Sequence, residues 1–204
     1  LLLQGEALLL IFHLLGEWQE KSAYRPLVAL LRRCPEVADY WLGDTITETA
    51  RRVLASVCDS DPQPLFELAL DTEADEYARS AALEALAIAV GHGKLEAAPV
   101  ALFLRDCFTD LQPQRDNFAW YGWQSAIALL GLMELRSLVK KAFDRRYIPM
   151  IYLAYDDFLD DLRDSIGIDG SYTWLDDDRQ GLFSDAVAEL HDWPCFSPEV
   201  AGEV

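Results

Sequence analysis

Hydrophobic and polar positions alternate with a helical rather than a strand period along most of the chain, and the run DEYARSAALEALAIAV, from Asp75 to Val90, shows it most densely. On a helical wheel Ala78, Ala82, Ala85 and Ala89 fall along one side and Leu83, Leu86 and Val90 along the other. A surface helix needs a single apolar stripe about 100° wide, so a helix apolar on both sides is expected to have packed neighbours nearly all round. Small side chains let those neighbours come close. Thr72 or Asp75 can cap its first turn, and Gly91 and Gly93 supply left-handed positions that end it.

Four further segments share a pattern: RPLVALLRR from Arg25, QPLFELALD from Gln63, APVALFLRD from Ala98 and LRSLVKKAFDRR from Leu135. Pro26, Pro64 and Pro99 sit near the first helical turn, where the missing N–H costs nothing. After the first three comes a second apolar helix: TITETARRVLASV with a Thr45-x-x-Glu48 capping box, the Asp75 run, and NFAWYGWQSAIALLGL. Paired helices at this spacing predict an all-α chain built as an α-solenoid, in which each pair buries its face only by stacking on the next. The Asp75 run is then the inner helix of a middle pair. No sustained period-two alternation or Asn-Gly or Asp-Gly hairpin competes with this.

The stretches GEWQEKSAYRPLVALLRR, LGDTITETARRVLASV and DEYARSAALEALA resemble the bacterial domain-of-unknown-function family 1186, a set of HEAT-like helical repeat proteins, over about residues 8 to 160. The Gly16-Glu17-Trp18 and Leu42-Gly43-Asp44-Thr45 turns carry the resemblance more than the Leu and Ala positions do. It implies about four HEAT-like helix pairs and brings no catalytic residues. Some members end in a Cys-rich zinc-binding segment, whereas this chain ends in HDWPCFSPEV followed by AGEV, with one Cys. The expected organisation is a repeat domain over residues 1–154 and an acidic helical extension over 155–204, packed on or beside the last repeat.

Composition sharpens the functional expectation. The 204 residues are 51% hydrophobic, enough for a sizeable core. The greasy opening LLLQGEALLLIFHLLGEW is broken by Gln4, Glu6 and His13, short of the roughly 18–20 apolar residues of a membrane span, and predicts a buried amphipathic helix. No basic start or small-residue cleavage site marks a signal peptide. Cys34, Cys58, Cys107 and Cys195 are scattered, which fits free thiols in the cytoplasm rather than a disulfide framework. The net charge is −18, of which −12 falls in residues 155–204, where 14 acids face only Arg163 and Arg179. Such a chain repels nucleic acid and anionic membranes.

Three candidate chemistries follow. In YDDFLDDLRDSIGIDG, Asp157, Asp160, Asp161 and Asp164 fall on one side of a helix with Phe158 and Leu162 facing the core, and Asp176-Asp177-Asp178 follow downstream. That face can dock a protein or peptide with a basic patch; the alternative is a metal-dependent protein or enzyme holding a hard cation there, although the calcium-loop pattern is absent. His191 and Cys195 have ligand-like spacing, but Pro194 interrupts the turn between them. Phe118, Trp120, Tyr121 and Trp123 cannot all point inward, so Trp120 or Tyr121 is expected on a groove wall as a partner anchor. The expected function is therefore a binding scaffold needing no cofactor or metal, with a structural homo-oligomer subunit as a third reading.

Overall fold

The computed structural model describes residues 2–33, 35–151, 153–175, 177, 179–191 and 193, with side chains from residue 7 onward. Cys34, Asp176, Asp178 and Cys195 thus lie outside the described residues. The described chain is all-α. Its helices are α1 (Leu2–Glu17), α2 (Tyr24–Leu31), α3 (Pro35–Leu42), α4 (Thr45–Glu48), α5 (Ala50–Val57), α6 (Gln63–Leu70), α7 (Glu76–Gly91), α8 (Ala97–Asp110), α9 (Phe118–Leu129), α10 (Arg136–Asp144), α11 (Tyr155–Asp164) and α12 (Ala186–Leu190), with short 3-10 turns at Lys21–Ala23 and Met133–Leu135. An isolated bridge between Ile166 and Tyr172 is the one β contact among the described residues.

The Asp75 run forms α7 as its pattern requires. Asp75 is the cap, accepting from the backbone N–H groups of Tyr77 (2.8 Å) and Ala78 (3.2 Å). Every residue from Ala78 to Val90 is buried. The neighbours that bury it are α5 on one side, α9 on the other, and α6 and α8 behind. The helices α1, α5, α7, α9 and α11 form one row, each against the next. Behind it α2 packs on α6, and α6 meets α8 through the stacked rings of Phe66 and Phe103, 3.9 Å apart. Arg32, just past the end of α2, reaches Glu67 (2.8 Å) within α6 and Asp71 (2.9 Å) just beyond it.

The row is tightest where α7 crosses α9. A Cβ placed on Gly122 would lie 2.5 Å from the Ser80 carbonyl oxygen and 2.6 Å from its Cα, so only glycine fits. On either side of that contact Trp120 and Trp123 are fully buried. Their indole N–H groups donate to the Pro113 (2.9 Å) and Leu104 (2.7 Å) carbonyls, fastening α9 to its preceding loop and to α8. Trp120 is therefore core and not a groove anchor, a correction that follows from the two tryptophans flanking the close crossing. Arg79, also buried, adds a second fastening by donating to the carbonyls of Ala69 (3.0 Å) and Gln112.

Two local expectations fail for identifiable reasons. The helix beginning at Thr45 is broken at Thr49 (φ −124°), whose hydroxyl bonds His13 Nε2 at 2.8 Å, and the expected capping box does not form because Asp44 occupies the N-cap position. At the end of α7 only Gly93 (φ +68°) is left-handed. Gly91 is helical, and its missing side chain makes room for Trp174, which a Cβ would meet at 2.3 Å. Cys58 and Cys107 are buried free thiols, and α1 buries Phe12 and His13 while leaving Leu10 and Ile11 exposed. No helix among the described residues is long and apolar enough to cross a membrane.

Trp174 belongs to a strap that follows α11 and runs back along the row. Its indole donates to the Leu129 carbonyl (2.8 Å) at the end of α9. Further on, the Phe183 N–H donates to Ser56 Oγ (2.7 Å), Arg52 lies over the Phe183 ring and pairs with Glu189 (2.8 Å), and the Ala186 N–H donates to Glu17 (2.8 Å). The segment after residue 164 thus reaches from α9 past α7 and α5 to α1.

Two substitutions test this packing. Gly122→Ala should cost about 3 kcal/mol through overpacking, because the clash is with backbone atoms, against roughly 1 kcal/mol that alanine gains in helix propensity, a net loss of about 2 kcal/mol; an unchanged or higher melting temperature would contradict the crossing. Trp120→Ala should cost about 3–5 kcal/mol in denaturant unfolding, as removal of a fully buried indole does, and a near-neutral result would return the ring to the surface.

Candidate functional site

The face of the row carries three adjoining depressions of about 430, 280 and 330 Å³. The first lies against α3 and α4, and the second, over α5, α7 and α9, shares Ile46, Thr47 and Tyr77 with it. The third extends to α11 and the strap and shares Arg51, Glu84 and Tyr121 with the second. Together they make one groove. Its carboxylates are Glu36, Asp39, Asp44 and Asp75 at one end, Glu84 in the middle, and Asp161, Asp164 and Asp177 at the other; Arg51 is the one cation among the described residues lining these three depressions, and a fourth of about 390 Å³, which shares Tyr77 and Phe118 with the second, adds Glu76, Asp116 and Arg146.

The middle is built by periodicity. Tyr77, Ser80, Ala81 and Glu84 recur at three- and four-residue steps on one face of α7, and Phe118, Tyr121 and Ser125 do the same on α9. Glu84 is a buried carboxylate among the alanines and leucines of α7. It accepts from the Ser125 hydroxyl (2.9 Å), and Arg51 Nη1 stands 3.9 Å from its other oxygen. Burial raises its pKa above the ordinary glutamate value, and Arg51 and Ser125 only partly offset that cost. Burial also raises the Tyr121 phenol, helped by the negative Glu84 and Asp161. Three buried polar atoms on this groove have no hydrogen-bond partner among the described residues: Arg51 Nε, Ser80 Oγ and Gln180 Oε1.

The acidic helix α11 turns its four aspartates to different uses. Phe158 and Leu162 are buried, as their spacing requires. Asp157 accepts from the Ala154 N–H (2.8 Å) at the start of the helix, and Asp160 pairs with Arg163 (2.7 Å). Asp161 and Asp164 line the groove beside Tyr121. The Asp161 pKa is raised by partial burial and then by the charges of Asp157, Asp160 and Asp164. Among the described residues no group of three His, Cys, Asp or Glu side chains is placed to hold a metal ion.

Tyr121, Asp161 and Asp164 are thus brought to one groove, Asp157 and Asp160 remain on the outer part of α11, and Trp120 is in the core. Arg51, Ser80, Glu84 and Ser125 complete the site and were not anticipated. For Ser80, Glu84 and Ser125 a signal exists in the sequence: polar side chains set among the alanines and leucines of α7 and α9, where burial without a partner is costly.

The chain matches the family described as "Protein of unknown function (DUF1186)" over residues 6–197. An uncharacterized protein of Chlamydia muridarum (strain MoPn / Nigg) is 28% identical over 145 residues, which cover 71% of this chain and 58% of the relative. An uncharacterized protein of Chlamydia trachomatis serovar D is 27% identical over 145 residues, covering 71% and 57%. The match therefore spans less than two thirds of the length of these relatives. No solved structure matches the chain significantly. With the family covering nearly all of its length, the chain belongs to the DUF1186 proteins of unknown function.

Proposed function

We propose that the chain is a helical-repeat binding scaffold, an α-solenoid of four pairs in which α2, α6, α8 and α10 form the outer helices and α5, α7, α9 and α11 the inner ones. The recurrence of Pro26, Pro64 and Pro99 early in α2, α6 and α8 supports that register. The inner surface binds a protein segment or peptide carrying basic side chains. The observation that carries this reading is the charge of the groove, whose eight lining carboxylates at both ends and in the middle face the Arg51 guanidinium, with Arg146 in the depression beside Phe118. A basic segment entering it meets Asp161 and Asp164, and offsets the partial burial and the neighbouring aspartate charges that together disfavour ionisation of Asp161.

Selection of a random peptide display library on the purified protein tests the proposal. The enriched peptides should be rich in Lys and Arg, and their retention should fall from low to moderate ionic strength as screening shortens the reach of the exposed carboxylates. The exposed double substitution Asp161→Asn/Asp164→Asn should leave the melting temperature nearly unchanged and weaken retention severalfold. Enrichment of neutral or acidic peptides, or of none, would overturn the reading.

A further inference from the structure

Resting on the binding reading above, we propose that the depression beside Phe118 is the apolar anchor pocket of the groove, taking one large aliphatic or aromatic side chain of the bound basic segment. It measures about 390 Å³, within the ~300–1,000 Å³ of pockets that hold small organic groups. Local sequence builds it. The helix α10 ends in a left-handed turn at Arg146 (φ +59°), where the Arg146 N–H donates to the Phe143 carbonyl (2.9 Å) and the Tyr147 N–H to the Ala142 carbonyl (3.0 Å). The Asn117 N–H then donates to the Tyr147 carbonyl (3.2 Å), which holds the following residues beside the start of α9. Ile148 and Pro149 are buried, whereas Met150 (59%) and Ile151 (85%) stand exposed. Large apolar side chains left together at the rim of a depression, rather than scattered singly, mark an interaction site.

The charges of the pocket say what fills it. Arg146 lines it together with Glu76 and Asp116, and Glu76 already accepts from the Phe118 N–H (2.5 Å), so the pocket lacks the one-sided negative charge of the groove. Its remaining walls are Tyr77, Phe118, Ile148, Pro149, Met150 and Ile151, against which an apolar side chain gains by leaving water. The Tyr77 and Phe118 rings, tilted together at 4.5 Å, stand between this pocket and the middle of the groove. Tyr77 also lines the depression that holds Asp39, Asp44 and Asp75. A segment anchored here therefore passes over Tyr77 to those carboxylates. The two surfaces select complementary parts of one partner: a large apolar residue whose burial supplies affinity, and neighbouring lysine or arginine side chains that the groove carboxylates attract and place.

Fluorescence anisotropy with a labelled peptide of alternating glycine and lysine carrying one phenylalanine at its centre, and with an analogue carrying glycine there, tests the pocket. The parent chain should bind the phenylalanine peptide about tenfold more tightly, as burial of one large apolar side chain provides. Met150→Gln/Ile151→Gln changes two exposed side chains, so it should melt like the parent chain, cut that advantage to about threefold or less, and leave the glycine analogue bound as before. Asp161→Asn/Asp164→Asn should instead weaken both peptides and keep the advantage. Equal binding of the two peptides by the parent chain, or an advantage undiminished by Met150→Gln/Ile151→Gln, overturns the pocket while the acidic groove stands. If the parent chain binds neither peptide, the groove reading fails and the pocket with it. Light scattering of the free chain covers the other occupant: a dimer that Met150→Gln/Ile151→Gln returns to monomer means that a second copy fills this face, and overturns the proposal.

Discussion

The close crossing of α7 and α9 is the constraint on which the rest of the molecule depends. With Gly122 seated on the Ser80 backbone, the two helices approach nearer than side chains elsewhere permit, and dispersion contacts accumulate along their lengths. The alanines of α7 serve the same end against α5 and α6. Fixing α7 against α9 also fixes the rotation of α9 about its axis. Trp120 and Trp123 then turn into the core, while Phe118, Tyr121 and Ser125 face the groove.

The strap extends this logic along the row. It crosses α9, α7 and α5 near their ends and closes on α1, so residues far apart in sequence secure the same inner helices that form the groove. Trp174 fits because Gly91 has no side chain, and its indole satisfies a carbonyl, Leu129, that the end of α9 leaves without an intrahelical partner. Arg52 holds the far end through Glu189, the Gly181 carbonyl (3.3 Å) and the face of Phe183. Because Thr173, Trp174, Asp177 and Gln180 line one end of the groove, the strap is part of its wall.

Most helices were legible because their period and punctuation agree: Asp75 caps α7, Pro64 sits in the first turn of α6, and Phe158 with Leu162 sets the inward face of α11. The orientation of α9 was not legible, since a helix apolar all round has no stripe to orient it, and only the close contact at Gly122 decides between Trp120 and Tyr121. Nor was α3 anticipated, nor the break at Thr49, which depends on His13 thirty-six residues earlier. The site was half visible. Tyr121, Asp161 and Asp164 stood out by type, whereas Glu84 and Ser80 were masked by the alanines and leucines around them, and the partnership of Arg51 with Glu84 is a tertiary fact that no local spacing encodes.

The most direct measurement of the central claim is mapping of backbone amide chemical shifts in the labelled protein as a lysine-rich peptide is added. Binding in the groove requires the changes to concentrate on Tyr77–Glu84, Phe118–Ser125 and Asp161–Asp177, the segments that line it. Changes centred instead on the outer helices, around Phe66, Leu102 and Phe103, would contradict it and move the binding surface to the opposite side of the molecule.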